Sequence, residues 1–408
     1  MNKVFGVALG VLTAIGGFVD IGDLVTNAVV GSRFGMSLAW VVVVGVAGIC
    51  VFASMSGRVT ALSGRATFEI IRERLGPRAA LANLVGSFAM TFLTLTAEIG
   101  GVALALQLLC GVDPRLLVVP VGLALWVVVW RVRFTVMENA AGLLGLLLVV
   151  FLVALVVLAP DWSELGRQAV SGVPSTESPV TYCYYAVALF GAAMTPYEVF
   201  FFSSGAVEER WTRRDLGLSR LNVLIGFPLG GLLSLGIAGC AAAVLLPAGV
   251  GVASLSQVVL PVATALGVVG LVVVSLGVLA ATTGAALETA LSCGYALAQY
   301  TGRPWGKLVA PIRAPHFHVT VAGVVLVAAL LLLTGIDPIM VTEFSVVFSA
   351  VALPLTYLPI LVVANDPEYV GDRTNGPVLN AVALAYLVVI LVAAVAAIPL
   401  LVLTRMGA

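Results

Sequence analysis

Four carboxylates lie inside stretches that a bilayer would bury. Asp20 and Asp23 interrupt the first apolar run at Phe18-Val19-Asp20-Ile21-Gly22-Asp23, Glu98 lies within the third, and Glu198 interrupts the sixth at Met194-Thr195-Pro196-Tyr197-Glu198. An ionised side chain in hydrocarbon costs at least ~2.5–3.5 kcal/mol, so by default such a residue marks an ion or substrate path. Two of the interruptions also carry residues that unwind helices: Gly16, Gly17 and Gly22 in the first, Pro196 in the sixth. Paired broken helices at corresponding places point to a binding site near the membrane midplane.

The residue types at the two breaks suit a hard cation. Divalent cations such as Mg²⁺ and Ca²⁺ take oxygen ligands from carboxylates, carbonyls and water. Asp20, Asp23 and Glu198 offer up to three negative charges, carbonyls near Gly17 and Ala192 two more oxygens, and Thr195 and Tyr197 two hydroxyls. No Cys or His stands at either break, and Met194 is one residue early, so the donor set favours Mg²⁺, Mn²⁺ or Ca²⁺ over thiophilic metals. Glu98 and Glu288 are gating or proton-relay candidates, although a lone carboxyl in an apolar helix can equally be a protonated, hydrogen-bonded packing residue. His316 and His318 flank Phe317 at the start of the ninth span, where a plain boundary role competes with metal binding.

These residues must be held by a polytopic helical frame. Of 408 residues, 61% are hydrophobic and only 10% charged, against about 25% charged in soluble domains. Eleven apolar stretches reach spanning length: roughly 4–31, 35–56, 82–110, 116–130, 139–160, 180–206, 220–247, 261–300, 317–335, 339–364 and 378–404. The first is too long for a signal-peptide core and contains two aspartates. With the N-terminus cytoplasmic, all but Arg33, Arg115, Arg167 and Arg405 of the 20 basic side chains fall inside, as the positive-inside rule requires. That places the C-terminus outside. The expectation is a single transmembrane domain over 1–408: repeat one about 1–160, repeat two about 178–364 in opposite orientation, and an extra helix over 378–404. Basic loop 57–80 should hold a short interfacial helix, and Gly226-x-x-x-Gly230 should let helices approach closely. The five cysteines are scattered and read as packing residues, and the zero net charge suggests no nucleic-acid partner.

In order and spacing these motifs resemble the natural resistance-associated macrophage protein (Nramp) family of divalent metal transporters, over essentially the whole chain. Asp20-Ile21-Gly22-Asp23 stands where the family has Asp-Pro-Gly-Asn, and Thr195-Pro196-Tyr197-Glu198 stands where it has Met-Pro-His-Asn. Thr96-Ala97-Glu98-Ile99-Gly100 is similar to the family's Ala-Glu-Val-Ile-Gly, and Leu353-Pro354 through Asn375 matches its tenth segment and following loop. The resemblance implies an all-α, LeuT-type fold of five plus five inverted helices with an eleventh, helices one and six being unwound at the midplane. It also implies a multi-pass plasma-membrane protein that moves a divalent metal as substrate and needs no cofactor.

The departures from the family pattern shape the expected mechanism. The family's soft methionine aligns with Thr195, its motif asparagines with Asp23 and Glu198, and its glutamine in segment ten with Ala352. A wider, more anionic pocket without sulfur suits a cation that keeps part of its water, as Mg²⁺ does, and resembles the Nramp-related magnesium transporter branch. The family's proton-relay acid and histidine align with Leu95 and Phe202, so uptake of Mg²⁺, with Mn²⁺ accepted, is expected to run by alternating access without proton coupling, in a monomer. The alternatives are a proton-coupled Mn²⁺/Fe²⁺ importer of the Nramp type, a LeuT-type carrier for another substrate, and a channel. No hydrolase, zinc-protease or phosphate-loop motif supports an enzyme.

Overall fold

The computed structural model describes residues 18–132 and 134–407, and among these all regular structure is helical. In chain order the α-helices are α1 (Ile21–Phe34), α2 (Ala39–Ser63), α3 (Thr67–Cys110), α4 (Pro114–Arg131), α5 (Phe134–Gly145), α6 (Val150–Leu158), α7 (Trp162–Val170), α8 (Pro179–Ala193), α9 (Pro196–Glu208), α10 (Leu216–Ala248), α11 (Leu255–Thr301), α12 (Pro315–Leu333), α13 (Pro338–Ala364), α14 (Pro367–Val370) and α15 (Pro377–Leu403). Among the described residues nine spans are long and apolar enough to cross a membrane, α8 and α9 together making one of them. A tenth results if the bent pair Gly142–Leu158 and Trp162–Val170 is one crossing.

Of the eleven expected spans, the first is represented by α1, because residues 4–17 lie outside the described residues. The fifth, expected as one helix over 139–160, is instead divided among α5, a 3₁₀ turn at Leu146–Val149 and α6, and the chain then bends by 115° into α7. At that turn α11 comes close: a Cβ on Gly277 would lie 3.1 Å from Leu148 and 3.2 Å from the Leu147 backbone. The loop expected at 57–80 is also mostly helix. α2 continues to Ser63 and α3 begins at Thr67, with the bend at Gly76, whose φ of 82° only glycine adopts readily, followed by Pro77. The stretch before that bend is the expected short helix. Gly230 and Gly231 form the expected close approach, receiving Phe18 and Val46.

Both breaks have local causes. Val19 and Asp20 leave the helix, and Asp20, with φ −91° and ψ 179°, caps α1 by accepting the Asp23 N–H at 2.8 Å. Gly22, expected to unwind the segment, is helical and serves contact. A Cβ there would meet Val346 of α13 at 2.8 Å and the Asp20 carboxylate at 3.0 Å. In the second break, Met194 and Thr195 separate α8 from α9. Thr195, at φ −54° and ψ 115°, lies outside the helical region, which a following proline favours, and Pro196 occupies the first turn of α9, where its missing N–H costs nothing. α3 and α11 pack along each other, α13 packs on α3, and α10 packs on α1, so the breaks lie among helices from both halves of the sequence.

Candidate functional site

Two new helix N-termini, at α1 and α9, arise where the spans break, and carboxylates gather around them. Asp20, Asp23, Glu98, Glu198 and Glu288 are all buried, none more than 5% exposed. Asp20 is the hub: its charge acts on Asp23, Glu98 and Glu198. The Tyr197 hydroxyl donates to Asp20 Oδ2 at 3.4 Å and lies within electrostatic reach of Glu98, Glu198 and Glu288 as well. Glu198 on α9 hydrogen-bonds Glu288 on α11. Glu288, a gating or relay candidate in the sequence, is thus joined to the acid cluster.

Each carboxylate is differently held. Asp23 turns toward α10, where Ser234 donates to Oδ2 at 2.6 Å and Asn27 donates to Oδ1 at 2.8 Å. Glu98 reaches from α3 to the break, accepting the Ile21 N–H at 2.9 Å through Oε1, while Oε2 has no hydrogen-bond partner among the described residues. Together Asp20 and Glu98 take N–H groups of the first turn of α1, which the helix itself leaves unpaired.

The expected carbonyl donors are largely engaged. Ala192 O accepts the Thr195 hydroxyl at 2.6 Å, so these two candidate ligands bond each other. Gly191 O accepts from Ser349 at 2.9 Å and Met194 O from Tyr357 at 3.1 Å, both on α13. Gly17 lies outside the described residues. Among the described residues, no three His, Cys, Asp or Glu side chains converge closely enough to hold an ion directly. Asp20, Glu98, Glu198 and Glu288 are thus arrayed around Tyr197 rather than closing on one point, while Asp23 faces Ser234.

The sulfur positions are informative. Met194 is fully buried, and its Sδ lies against Gly48 on α2 beside Tyr386 on α15. A second methionine went unnoticed in the sequence: Met90 on α3 packs with Tyr197 and Ala352, its Sδ accepting the Thr94 hydroxyl at 3.4 Å. A helical wheel of α3 carries a signal for it, because Met90 lies eight residues before Glu98 and thus on roughly the same face. Ser234 and Asn27 were likewise missed; Asn27 is legible as an i+4 partner of Asp23, whereas nothing local marks Ser234. His318 is tied to Val309 O at 2.8 Å, a helix-boundary contact. Leu95 is buried in an apolar cluster, and the ring of Phe202 packs edge-on against Trp211 at 5.3 Å.

Comparison with known proteins agrees with this architecture. The sequence model described as natural resistance-associated macrophage protein-like matches residues 10–399. The divalent metal cation transporter MntH of Deinococcus radiodurans is 30% identical over 235 residues, which is 55% of this chain and about half (53%) of that relative. The MntH proteins of Yersinia enterocolitica and Aeromonas hydrophila match at 24% and 26% identity over 89% and 90% of this chain, and over 87% and 88% of their own lengths. Among solved structures, the manganese transporter of Eremococcus coleocola superposes with a TM-score of 0.70 at 16% identity, covering 100% of this chain and 96% of that one. Mhp1 in an inward-facing conformation gives 0.57 at 15% identity, covering 98% and 90%. At these identities the structural likeness speaks for the fold, which is all-α and LeuT-type with its first and sixth spans broken. With the family match running nearly from end to end, the chain belongs to the Nramp family.

Proposed function

We propose that this protein carries a divalent cation across the plasma membrane by alternating access, with Mg²⁺ as its main substrate and Mn²⁺ also accepted, and without obligatory proton coupling. The observation that carries the reading is the donor chemistry at the two helix breaks: Asp20, Glu98, Glu198 and Glu288 lie within electrostatic reach of Tyr197, Asp23 follows in the first turn of α1, and the Met194 sulfur is turned against Gly48. Carboxylate oxygens suit hard cations, and spaced acids suit an ion that keeps several waters. The metal is cargo, not a cofactor. The names of the MntH and manganese-transporter relatives support the divalent-cation part of this reading.

The driving force needs no second ion. A divalent cation moving inward through 100 mV gains about 4.6 kcal/mol, at ~2.3 kcal/mol per charge. The apolar settings of Leu95 and Phe202 support uncoupled transport, because neither position can hold a proton. The same reading takes the N-terminus as cytoplasmic and the C-terminus as outside. It treats 1–160 and 178–364 as inverted repeats with 378–404 added, and the working unit as a monomer in the lipid bilayer.

A second reading is favoured by Met90. Its side chain packs with Tyr197, so a softer ion such as Mn²⁺ or Fe²⁺ has a thioether-bearing residue beside Tyr197 from a helix other than the broken ones. Flux into proteoliposomes with an internal pH dye separates the two. Mg²⁺ uptake without acidification, unchanged in Met90→Ala, is the expected result. Uptake of Mn²⁺ alone, with acidification, would establish the proton-coupled importer instead.

A further inference from the structure

A cavity of about 960 Å³, with none of the clustered acids in its wall, lies between α2, α10 and the start of α15. That volume is at the upper end of the ~300–1,000 Å³ range of small-molecule sites. Its wall is apolar over most of its length, with Val42, Val46 and Cys50 on α2 facing Leu224, Leu232 and Leu235 on α10. At one end stand three arginines: Arg58 on α2, Arg220 on α10, and Arg373 in the loop before α15. Among the described residues, no aspartate or glutamate lines the cavity. Asp215 and Asp372, beside it in sequence, are engaged with Thr212 and Arg213.

The arginines are poorly compensated. Arg220 is near enough for its charge to act on Arg58. Arg58 gives one Nη to Asn375, a neutral acceptor, and its buried Nε–H has no hydrogen-bond partner among the described residues. A guanidinium held off water beside a second cation is costly unless an anion pairs with it. Guanidinium groups match phosphate oxygens in a bidentate fork. A basic pocket between membrane helices, at one face of the bilayer, is the recognised setting for an acidic lipid headgroup.

We propose that this cleft is a specific site for an anionic glycerophospholipid, its phosphate held by Arg58, Arg220 and Arg373 and an acyl chain lying along the α2–α10 wall. Charge complementarity selects the headgroup, because three cations with no lining acid discriminate against a zwitterionic lipid. The shape selects a lipid over free phosphate, because most of the cavity is hydrocarbon. The site adds a binding function that the metal pathway does not require, and its occupant would join α2 to α10 at the face where α15 begins.

The test is native mass spectrometry of the full chain in detergent, titrated with phosphatidylglycerol, with phosphatidylcholine, and with inorganic phosphate alone. The expected result is retention of phosphatidylglycerol at least tenfold over phosphatidylcholine. That preference should fall about tenfold in Arg220→Gln and Arg373→Gln, which lie on the exposed rim, and further when Arg58→Gln is added. Arg303→Gln, which removes a charge elsewhere, should leave it unchanged. Ser54→Trp, which fills the apolar part and keeps the arginines, should abolish lipid retention. Equal retention of both lipids, or loss of the preference in Arg303→Gln as well, would overturn the proposal. So would binding of inorganic phosphate alone that matches the lipid and survives Ser54→Trp.

Discussion

Glu98 Oε1 accepts the backbone N–H of Ile21 at 2.9 Å, a contact between residues 77 positions apart that pins the start of α1 to the middle of α3. An ordinary helix start is capped by its own flanking side chain; here Asp20 takes the Asp23 N–H and Glu98 accepts the Ile21 N–H from a different helix. The break is therefore a braced joint. Glutamine can still accept the Ile21 N–H through its amide oxygen, whereas alanine cannot. Glu98→Gln is expected to keep metal flux within about threefold of the parent, and Glu98→Ala to lose tenfold or more, since removing the acceptor leaves a buried N–H unpaired at about 1–3 kcal/mol. Equal loss in both variants would show that the carboxyl's proton chemistry, and not its bond to Ile21, is what transport uses.

The second bracket is Ser234. Its hydroxyl donates to Asp23 Oδ2 at 2.6 Å while Asn27 holds Oδ1, so the Asp23 carboxylate has a fixed orientation between α1 and α10. Ser234→Ala removes one of the two bonds and leaves a small residue in place. We expect the apparent affinity for the transported metal to weaken about tenfold, since a hydrogen bond to a charged group contributes ~1.5–3 kcal/mol, with Ser234→Thr recovering most of it. An unchanged KM in Ser234→Ala flux assays would remove Asp23 from the metal path.

These two contacts mark the limit of what is legible along the chain. The sixth-span break is written locally: Pro196 has no N–H with which to continue α8 and disfavours the helical conformation at Thr195. The acids at both breaks are legible because hydrocarbon makes each one costly. Gly22 misled, since it is helical and Asp20 itself starts the new helix by capping it, while Gly16 and Gly17 lie outside the described residues. The direction of the Met194 sulfur, the Ser234 contact 211 residues from Asp23 and the reach of Glu98 to Ile21 depend on which helices pack together, and a single sequence carries no record of that. The 3₁₀ turn at Leu146–Val149 was illegible for the same reason: its four residues are all ordinary apolar ones, Gly145 before it keeps helical angles, and α11 presses on it at Gly277.

Gly22 offers a prediction of steric kind. A methyl at this position would sit 2.8 Å from Val346 Cγ1 and 3.0 Å from Asp20 Oδ1, both closer than van der Waals contact allows. Overpacking of this size typically costs about 1–3 kcal/mol, and here the strain falls on the hub carboxylate. Gly22→Ala is expected to cut flux at least tenfold. Val346→Ala, nearly silent alone, should recover part of that loss in the double variant, because it deletes the atom that clashes. A double-mutant cycle in proteoliposomes measures the coupling. Strictly additive losses would place the defect at Asp20 and not at the α1–α13 contact.

Lys307, in the loop between α11 and α12, gives a prediction about pH. Burial pushes its amine down to about 8 from the ordinary 10.5, with Glu208 opposing part of the shift, and its Nζ lies 3.0 Å from the Met137 sulfur. The folded state therefore disfavours the proton that the unfolded chain keeps. Below pH about 8 both states are protonated and the folded protein bears the full cost. As pH rises from about 8 toward 10.5 the folded amine loses its proton first, and stability increases. The size is on the order of 1–2 kcal/mol once solvent screening is allowed for. Melting in detergent should therefore shift upward by a few degrees between pH 7 and pH 9.5 relative to Lys307→Met, which removes the titrating group and should already melt higher at pH 7. If the parent and Lys307→Met track each other across that window, the ammonium is solvated in the folded protein and the burial of Lys307 carries no electrostatic cost.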